Sequence, residues 1–273
     1  MTFHIGLCQL TFDPSETITD LTDRMAAAVR QAGPADLYIM PELVGAGPTY
    51  DSNLSPADRP LPDDAISHLH EHLRELASDE DAVVVGGTYP VATSDARIAN
   101  RCPVATPDGV VTYDKQNPIP EERDAGTQAG DAEPPLRTHN GVTIAPLICY
   151  DVEFPELVRS VVDRGAEVLA VPSWTASTAG AERIRRCAAA RAVENQCYVA
   201  TVPLVTDSDA DPAGTGRSAV FAPCDDVCGP GGTRLTLPLD QQLSRTCPVD
   251  IDDIHRSRAD ASVRPYSDYR RQD

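Results

Sequence analysis

The spacing of apolar residues along the chain switches repeatedly between the two-residue period of strands and the 3.6-residue period of helices. Apolar positions three and four residues apart predict helices at Thr17–Ala32, Asp64–Leu76, Pro155–Arg164 and Ala181–Glu194. Short apolar runs bounded by turn residues predict strands at His4–Leu10, Leu37–Met40, Ala82–Gly86, Ile98–Ala105, Gly109–Tyr113, Val142–Cys149, Val168–Val171, Tyr198–Pro203, Arg217–Ala222, Arg234–Leu237 and Cys247–Ile251.

Helices and strands are mixed along the whole chain, and no segment is repeated. Proline and glycine cluster at 205–216 and 223–233, between predicted strands, and we interpret both stretches as loops and not as a linker. We therefore expect residues 1–273 to form one α/β domain, with helices covering a sheet or a pair of sheets.

The charge of the chain is strongly acidic, with 42 acidic against 23 basic residues and a formal net charge of −19. Nucleic acids and anionic membrane surfaces would repel such a chain, so neither is an expected partner. The acidic residues are spread throughout the sequence and are not gathered in one tail. This distribution predicts a solvated surface adapted to high salt, where charge repulsion is screened over a few ångströms.

The eight cysteines do not indicate a disulfide framework, because a chain of this length can bury a large core and needs no disulfide cross-links for stability. The first residues, MTFHIGLCQLTF, lack the basic and apolar regions of a signal peptide. No run approaches the ~18 apolar residues of a membrane span. We expect a cytoplasmic protein with reduced and mostly buried thiols.

One cysteine has a context suited to chemistry. Cys149 ends a predicted buried strand just before a predicted helix, near amides that can lower the pKa of a thiol and bind an oxyanion. The alternative is a buried structural cysteine, which is our interpretation of five others: Cys8, Cys102, Cys187, Cys197 and Cys247.

A nucleophilic cysteine needs a base, and the six histidines lie in unsuitable contexts. Glu42 follows the buried strand at 37–40, and functional sites of α/β proteins form at such strand ends. Lys115 is the only lysine among 23 basic residues. Its compact ammonium can approach a single oxygen in a way that the planar fork of arginine cannot, which suggests a specific role for it.

Three segments follow one another in an order typical of a known family: Pro41-Glu42, Tyr113-Asp114-Lys115 and Leu147-Ile148-Cys149-Tyr150-Asp151. In this order they resemble the nitrilase superfamily of carbon–nitrogen hydrolases, which uses a Glu-Lys-Cys triad. Further segments resemble the same family over nearly the whole chain: Phe154-Pro155-Glu156, Val171–Trp174, Arg191–Gln196, Gly216–Ser218, Phe221–Pro223 and Asp250–Asp252.

The resemblance implies a four-layer α-β-β-α sandwich and a role for each residue of the triad. Glu42 would be the general base, and Cys149 would attack a carbonyl carbon to form a thioester. Lys115 and the backbone N–H of Tyr150 would stabilise the oxyanion. A second glutamate after the lysine would orient the substrate, with Glu122 as the first choice.

Other residues implied by the resemblance are Glu121, the alternative second glutamate, and Ser173 and Trp174 at the substrate pocket, although core packing explains Trp174 equally well. Neither a cofactor nor a metal is implied. The resemblance does imply a homodimer, in which residues 255–273 would form a C-terminal tail that spans the two copies.

The residues after the cysteine, Tyr150-Asp151, resemble the amidase and carbamoylase branches, so we expect a small amide or N-carbamoyl substrate. Gln116-Asn117-Pro118 departs from the family, in which a histidine often follows the lysine, and leaves the identity of the substrate open. A nitrilase or an amide/acyl transferase of the same superfamily remains an alternative.

The sequence supports other classes of protein less well. His68, Glu71 and His72 match the H-x-x-E-H pattern of a zinc protease, but an acidic surface stretch follows directly. Cys224 and Cys228, with Cys247 and His255 beyond them, could form a small structural zinc site. A Cys–His amidotransferase would have to use His255. A non-catalytic scaffold or small-molecule-binding relative would be expected to have lost a member of the triad.

The single lysine generates the first prediction. Lys115→Arg should keep the fold and lower turnover by orders of magnitude, because the guanidinium fork would crowd a pocket built for a single ammonium. Circular dichroism and steady-state kinetics on the two proteins check this. Near-normal turnover by the arginine variant would show that the role given to Lys115 is wrong.

Overall fold

The computed structural model describes residues 1–50, 57–206 and 214–270. Its helices are α1 (Ile18–Ala32), α2 (Asp63–Asp79), α3 (Pro120–Asp124), α4 (Pro155–Asp163), α5 (Thr178–Asn195), α6 (Ile251–Asp260) and α7 (Pro265–Arg270). Its strands are β1 (Thr2–Gln9), β2 (Leu37–Ile39), β3 (Val83–Val85), β4 (Tyr89–Ala92), β5 (Ile98–Thr106), β6 (Gly109–Asp114), β7 (Arg137–His139), β8 (Val142–Pro146), β9 (Val168–Ser173), β10 (Tyr198–Pro203), β11 (Ala219–Phe221), β12 (Thr233–Thr236) and β13 (Leu243–Asp250).

The strands form two mixed sheets. The first has the order β13-β1-β2-β3-β5-β4, with β6 paired to β5, and the second has the order β12-β11-β10-β9-β8-β7. Strands β1, β2 and β3 run parallel in the first sheet, and β8, β9 and β10 run parallel in the second. Each sheet therefore gathers the carboxyl ends of three parallel strands at one edge, where the following loops can meet.

Side chains of the first sheet alternate between two apolar layers, as the two-residue period of a strand requires. On β2, Leu37 and Ile39 belong to the core that the two sheets share. Tyr38, between them, points the other way and packs with Met25 of α1 and Leu69 of α2. The sheet is thus covered by helices on one side and by the second sheet on the other.

The second sheet has its own helical cover. Val158 of α4 and Ile184 of α5 are buried in the same apolar cluster as the residues of β8, β9 and β10. With α1 and α2 outside the first sheet, the layers run helix, sheet, sheet, helix. The expected four-layer α-β-β-α sandwich is confirmed.

Several element boundaries differ from the predictions. The predicted strand at 142–149 ends at Pro146, so Cys149 lies beyond it in a short 3₁₀ segment, Cys149–Glu153. The predicted strand at 247–251 is the last part of the longer β13, which pairs with β1 at eight positions. Polar residues in the first half of β13 hid it, because its stability comes from this pairing and not from its own apolar run. Of the predicted loop at 205–216, residues 207–213 lie outside the described part of the chain.

The C-terminal helices fold back onto the chain's own surface. Tyr266 of α7 is buried, and the guanidinium groups of Arg159 and Arg258 lie 5.2 and 4.4 Å from the centre of its ring. Such cation–π contacts hold the tail against α4 and α6. Residues 271–273 of the expected tail lie outside the described residues.

One glycine connects the fold to the loop that follows β2. Gly87 has φ +71°, and a Cβ atom placed on it would lie 2.2 Å from the carbonyl oxygen of Pro41 and 2.7 Å from Val44. Only glycine therefore lets the chain after β3 pack against the segment that carries Glu42.

Gly87→Ala should lower the free energy of unfolding through two effects: about 1–2 kcal/mol for a left-handed alanine and about 1–3 kcal/mol for the crowding. Gly141→Ala is the matched control, because Gly141 has φ +75° with no atom within 4 Å of the added Cβ. Urea denaturation should show the larger loss for residue 87. Equal losses would contradict the close approach described above.

Candidate active site

The carboxylate of Glu42 lies between the two sheets. The residue follows β2, and its backbone N–H donates to the carbonyl of Ser173, at the end of β9 in the other sheet, over 3.3 Å. Leu43 then adopts φ 54°, and its N–H donates to the hydroxyl of Thr88 at 2.7 Å. These bonds turn the chain sharply and leave the Glu42 side chain 2% exposed.

Lys115 reaches the same space from the end of β6. It shares a face of that strand with Tyr113, whose ring lies in the core between the sheets. Its backbone is fixed on both sides, because its N–H donates to Asn100 and its carbonyl accepts from Gly130, at 2.9 and 2.8 Å. The side chain is only 2% exposed.

The ammonium of Lys115 joins two buried carboxylates. Its Nζ donates to Oε1 of Glu42 at 2.8 Å and to Oε2 of Glu122, in α3, at 2.7 Å. Oε2 of Glu122 also accepts the backbone N–H of Ile119 at 2.7 Å, which fixes the carboxylate at the start of its own helix. A buried charge is tolerated only when it is paired and hydrogen-bonded, so these three side chains hold one another in place.

Cys149 lies at a tight turn between β8 and α4. It adopts φ 46°, a left-handed conformation that is uncommon for a residue with a side chain. Its thiol donates to the carbonyl oxygen of Trp174 at 3.5 Å, and the carboxylate of Glu42 and the ammonium of Lys115 lie close enough to interact with it electrostatically. A residue held in this conformation by its surroundings is common at functional sites.

The ionisation of the three groups follows from their burial and mutual contacts. Burial and the charge of Glu42 raise the pKa of the Cys149 thiol well above its ordinary value. Burial raises the pKa of Glu42 as well, against the opposing effect of Lys115. Burial disfavours the charge of Lys115, but Glu42 and Glu122 outweigh it and raise the pKa of the ammonium.

The expectation of a thiol with a lowered pKa is therefore wrong. Helix amides were expected to stabilise a thiolate, but Cys149 is itself the first residue of a five-residue 3₁₀ segment, and its sulfur lies in a buried space beside a carboxylate. The raised pKa favours the neutral form of the thiol at rest. The carboxylate of Glu42 is the neighbouring group that could accept the thiol proton.

Asp151, two residues after Cys149, was not singled out from the sequence. Its buried carboxylate accepts from the hydroxyl of Tyr113 at 2.8 Å, from the backbone N–H and side-chain amide of Asn117 at 2.8 and 2.9 Å, and from the backbone N–H of Ile148 at 3.2 Å. These bonds join the turn that carries Cys149 to the chain on both sides of Lys115.

The remaining residues named from the sequence have different positions. Glu122 is buried in the network, whereas its neighbour Glu121 is exposed. The ring of Tyr150 packs edge-on against Phe154, at 4.9 Å between ring centres. Ser173 is buried, and its hydroxyl donates to the carbonyl of Val171 at 3.1 Å.

An aromatic cluster begins at Trp174, the residue whose backbone carbonyl contacts Cys149. The ring of Trp174, whose carbonyl contacts Cys149, stacks on Phe12 at 6.0 Å, and Phe12 meets Tyr50 edge-on at 5.3 Å. Leu43 and Ala46, just after Glu42, pack against Phe12 and Trp174. Phe12 carries no signal in the sequence, since only the fold brings residues 12, 50 and 174 together.

The histidines lie away from Cys149. His70 contacts the hydroxyl of Tyr89 at 2.8 Å, and His68 contacts Thr22 at 3.4 Å. His255 pairs with Glu167, which lies just before β9. Cys149 lies after β8, which runs parallel to β9. Glu167, and His255 with it, therefore lies at the opposite end of the second sheet from Cys149. Within the described residues, no group of three or more His, Cys, Asp or Glu side chains has an arrangement that could hold a metal ion.

Two further findings concern the whole described chain. All eight cysteines are free, with Cys224 exposed and Cys228 buried. In the ranges 1–50, 57–206 and 214–270, none of the helices has both the length and the apolar character needed to cross a bilayer.

Comparison with known proteins identifies the family. The carbon–nitrogen hydrolase family matches residues 4–228. The probable hydrolase YhcX of Bacillus subtilis is 33% identical over 207 residues, which are 72% of this chain and 39% of that protein. This chain thus spans well under half the length of that relative. An (R)-stereoselective amidase of Pseudomonas sp. is 28% identical over 257 residues, which are 94% of this chain and 88% of the amidase.

A solved structure extends this likeness to three dimensions. The amidase from Nesterenkonia sp. AN1, in a mutant form that shows Michael addition of acrylamide at its active-site cysteine, superposes with a TM-score of 0.69 at 26% identity. The superposition covers 94% of this chain and 97% of that one. With a family match over most of its length, the chain belongs to the carbon–nitrogen hydrolase family of the nitrilase superfamily.

Proposed function

We propose that this protein is an amidase that hydrolyses a small amide or N-carbamoyl substrate through a thioester on Cys149. The observation that carries the proposal is the buried contact of Lys115 with Glu42 and Glu122, beside the thiol of Cys149, which interacts with the charges of Glu42 and Lys115. A nucleophile, a base and a cation meet there with no histidine. A scaffold without catalysis would have little reason to keep so costly a buried ion cluster.

In the first half of the reaction, the sulfur of Cys149 attacks the carbonyl carbon and its proton passes to the carboxylate of Glu42. The carbonyl oxygen gains negative charge, which the ammonium of Lys115 and the backbone N–H of Tyr150 stabilise. When the carbon–nitrogen bond breaks, Glu42 returns the proton to the departing nitrogen. Ammonia or an amine leaves, and the acyl group remains as a thioester on Cys149.

In the second half, a water molecule attacks the thioester and gives a proton to Glu42. The carbon–sulfur bond breaks, the acid is released, and the proton returns from Glu42 to the sulfur. Glu122 keeps the ammonium of Lys115 in place throughout. The raised pKa of Glu42 suits this double role, since a group that both accepts and gives a proton works best when its pKa is near the working pH.

The aromatic cluster that begins at Trp174 supports a small organic acyl group as the part of the substrate that enters the site. The Pseudomonas relative named as an amidase and the Nesterenkonia amidase with its cysteine adduct support an amide over a nitrile.

Further features belong to the same proposal. We place residues 1–273 in one domain that forms a homodimer, with the C-terminal tail at the contact between copies. The free cysteines support a reducing, cytoplasmic location. The net charge of −19 supports a working environment of high salt, in which the surface carboxylates are screened.

Ammonia release tests the proposed function. We expect turnover of primary amides or N-carbamoyl amino acids at molar salt, with nitriles poorer by at least an order of magnitude, and none by Cys149→Ala. Cys187→Ala is the matched control, because Cys187 is a half-buried free thiol on α5 with no contact to the triad. Activity confined to nitriles, or activity that survives in Cys149→Ala, would contradict the proposal.

The pH dependence of kcat/KM provides a further prediction. Glu42 must be ionised to accept the thiol proton, and burial raises its pKa. Activity should therefore fall as pH is lowered through an apparent pKa above the ordinary glutamate value of about 4.3. Rate measurements in constant-ionic-strength buffers check this, with Glu42→Gln as the inactive reference. An acid limb at or below the ordinary value would exclude Glu42 as a base with a raised pKa.

A further inference from the structure

A fourth polar side chain, Asn100 of β5, completes the network around Lys115. The amide nitrogen of Asn100 donates to Oε1 of Glu42 at 3.0 Å and to Oε1 of Glu122 at 3.2 Å. The two carboxylates thus receive bonds from Lys115 on one side and from Asn100 on the other. Two donors and two acceptors close a ring, and all four side chains are buried.

The position of Asn100 in its strand is unusual for an asparagine. The two-residue period of β5 places it on the same face as Cys102 and Val104, which lie in the apolar core between the sheets. Asn100 itself is 1% exposed. A buried polar side chain at an apolar position costs free energy unless its hydrogen bonds compensate. At Asn100 the hydrogen bonds compensate for burial because the carboxylates of Glu42 and Glu122 meet beside its amide.

The orientation of the amide is set by its neighbours. Ionised carboxylates accept hydrogen bonds and cannot donate them, so the NH₂ group and not the oxygen must face Glu42 and Glu122. The side-chain oxygen of Asn100 is left buried with no hydrogen-bond partner among the described residues. The cost of that unsatisfied oxygen is offset by the two bonds that the NH₂ group donates to charged carboxylates, which are stronger than bonds to neutral acceptors.

We propose that Asn100 is a positioning residue that, by donating to both carboxylates at once, holds Glu42 against the thiol of Cys149. It also anchors Lys115, since its backbone carbonyl accepts the lysine N–H at 2.9 Å. The inference rests on the proposed function, because it assigns Asn100 to the base of that reaction. Asn100 does not touch the reacting atoms and acts through Glu42.

The role of Asn100 has a consequence for ionisation. The groups that face Glu42 are Lys115 from β6, Glu122 from α3, Cys149 from the turn after β8 and Cys102 from β5. A donor to an ionised carboxylate favours the charged form and lowers its pKa. Loss of the bond from Asn100 to Glu42 would therefore raise the pKa of Glu42 further and leave less of the base ionised at a given pH.

Asn100→Leu keeps the approximate volume of the side chain and removes both donors. We expect kcat to fall roughly 10- to 100-fold with little change in KM, as for loss of hydrogen bonds to a charged group. The acid limb of the pH profile should move up by about one unit. Asn100→Asp, which keeps the shape and a polar character, should move the acid limb further because it adds a third carboxylate.

Asn195→Leu is the matched control. Asn195 is also a buried asparagine with an unpartnered side-chain oxygen, but it bonds to the carbonyl of Arg191 and to Glu194, at the end of α5. Its replacement should lower stability without moving the acid limb. If Asn100→Leu and Asn100→Asp both keep the wild-type acid limb, and lose no more activity than Asn195→Leu, the proposal is overturned.

A second measurement does not depend on the substrate. The rate at which iodoacetamide alkylates Cys149, followed by mass spectrometry of its peptide, reports how readily Glu42 removes the thiol proton at each pH. The Asn100 variants should shift this profile to higher pH, and an unshifted profile would overturn the proposal. If the wild-type protein hydrolyses no amide but the alkylation profiles still shift, the proposed function fails and the positioning role of Asn100 stands.

Discussion

A buried ammonium shared by two carboxylates is the interaction on which the site depends. Lys115 lies 2.8 Å from Glu42 and 2.7 Å from Glu122, and all three side chains are excluded from water. None of these charges could be buried alone at an acceptable cost in free energy. Each therefore requires the other two, and the backbone segments that carry them must converge for the chain to fold as it does.

This requirement explains why the site lies where the two sheets meet. Glu42 follows a parallel strand of one sheet, and Cys149 follows a parallel strand of the other. The backbone bond from Glu42 to Ser173 joins the sheets at that edge, and the carboxylate of Asp151 joins the cysteine turn to the chain around Lys115. A change in the packing of the sheets would separate Glu42 from Cys149, so the sandwich itself sets the geometry of the proposed site.

The electrostatics of the site differ from those of the surface. The surface carries a large excess of negative charge that water and salt can screen. Inside, the carboxylates of Glu42 and Glu122 share the ammonium of Lys115 in a region of low dielectric, and burial together with Glu42 raises the pKa of the Cys149 thiol. In the proposed reaction, the thiol proton passes to Glu42 during attack and the ammonium faces the developing oxyanion.

Strand periodicity and motif order were sufficient to predict most of the core elements and the residues at the centre of the site. Glu42 and Cys149 follow apolar runs, and Lys115 stands out as the only lysine, so each carries a signal in the one-dimensional sequence. Asn100 carried a weaker signal: it is the polar residue in the alternating row Ile98, Asn100, Cys102 and Val104.

Other features are decided by contacts between residues far apart in the chain. The pairing of β13 with β1 joins positions about 240 residues apart and stabilises a strand with little apolar character. Glu121 and Glu122 are adjacent glutamates, and nothing in the sequence tells them apart. In the structure Glu122 is buried because it pairs with the ammonium of Lys115, whereas Glu121 is exposed. The pKa of Cys149 likewise depends on burial and on Glu42, neither of which is local to it.

The sequence by itself determined which residue types are available and which strand ends carry them, because period and order are properties of the chain. Tertiary structure alone decided how those groups ionise and which of them touch, because desolvation and charge pairing act through space.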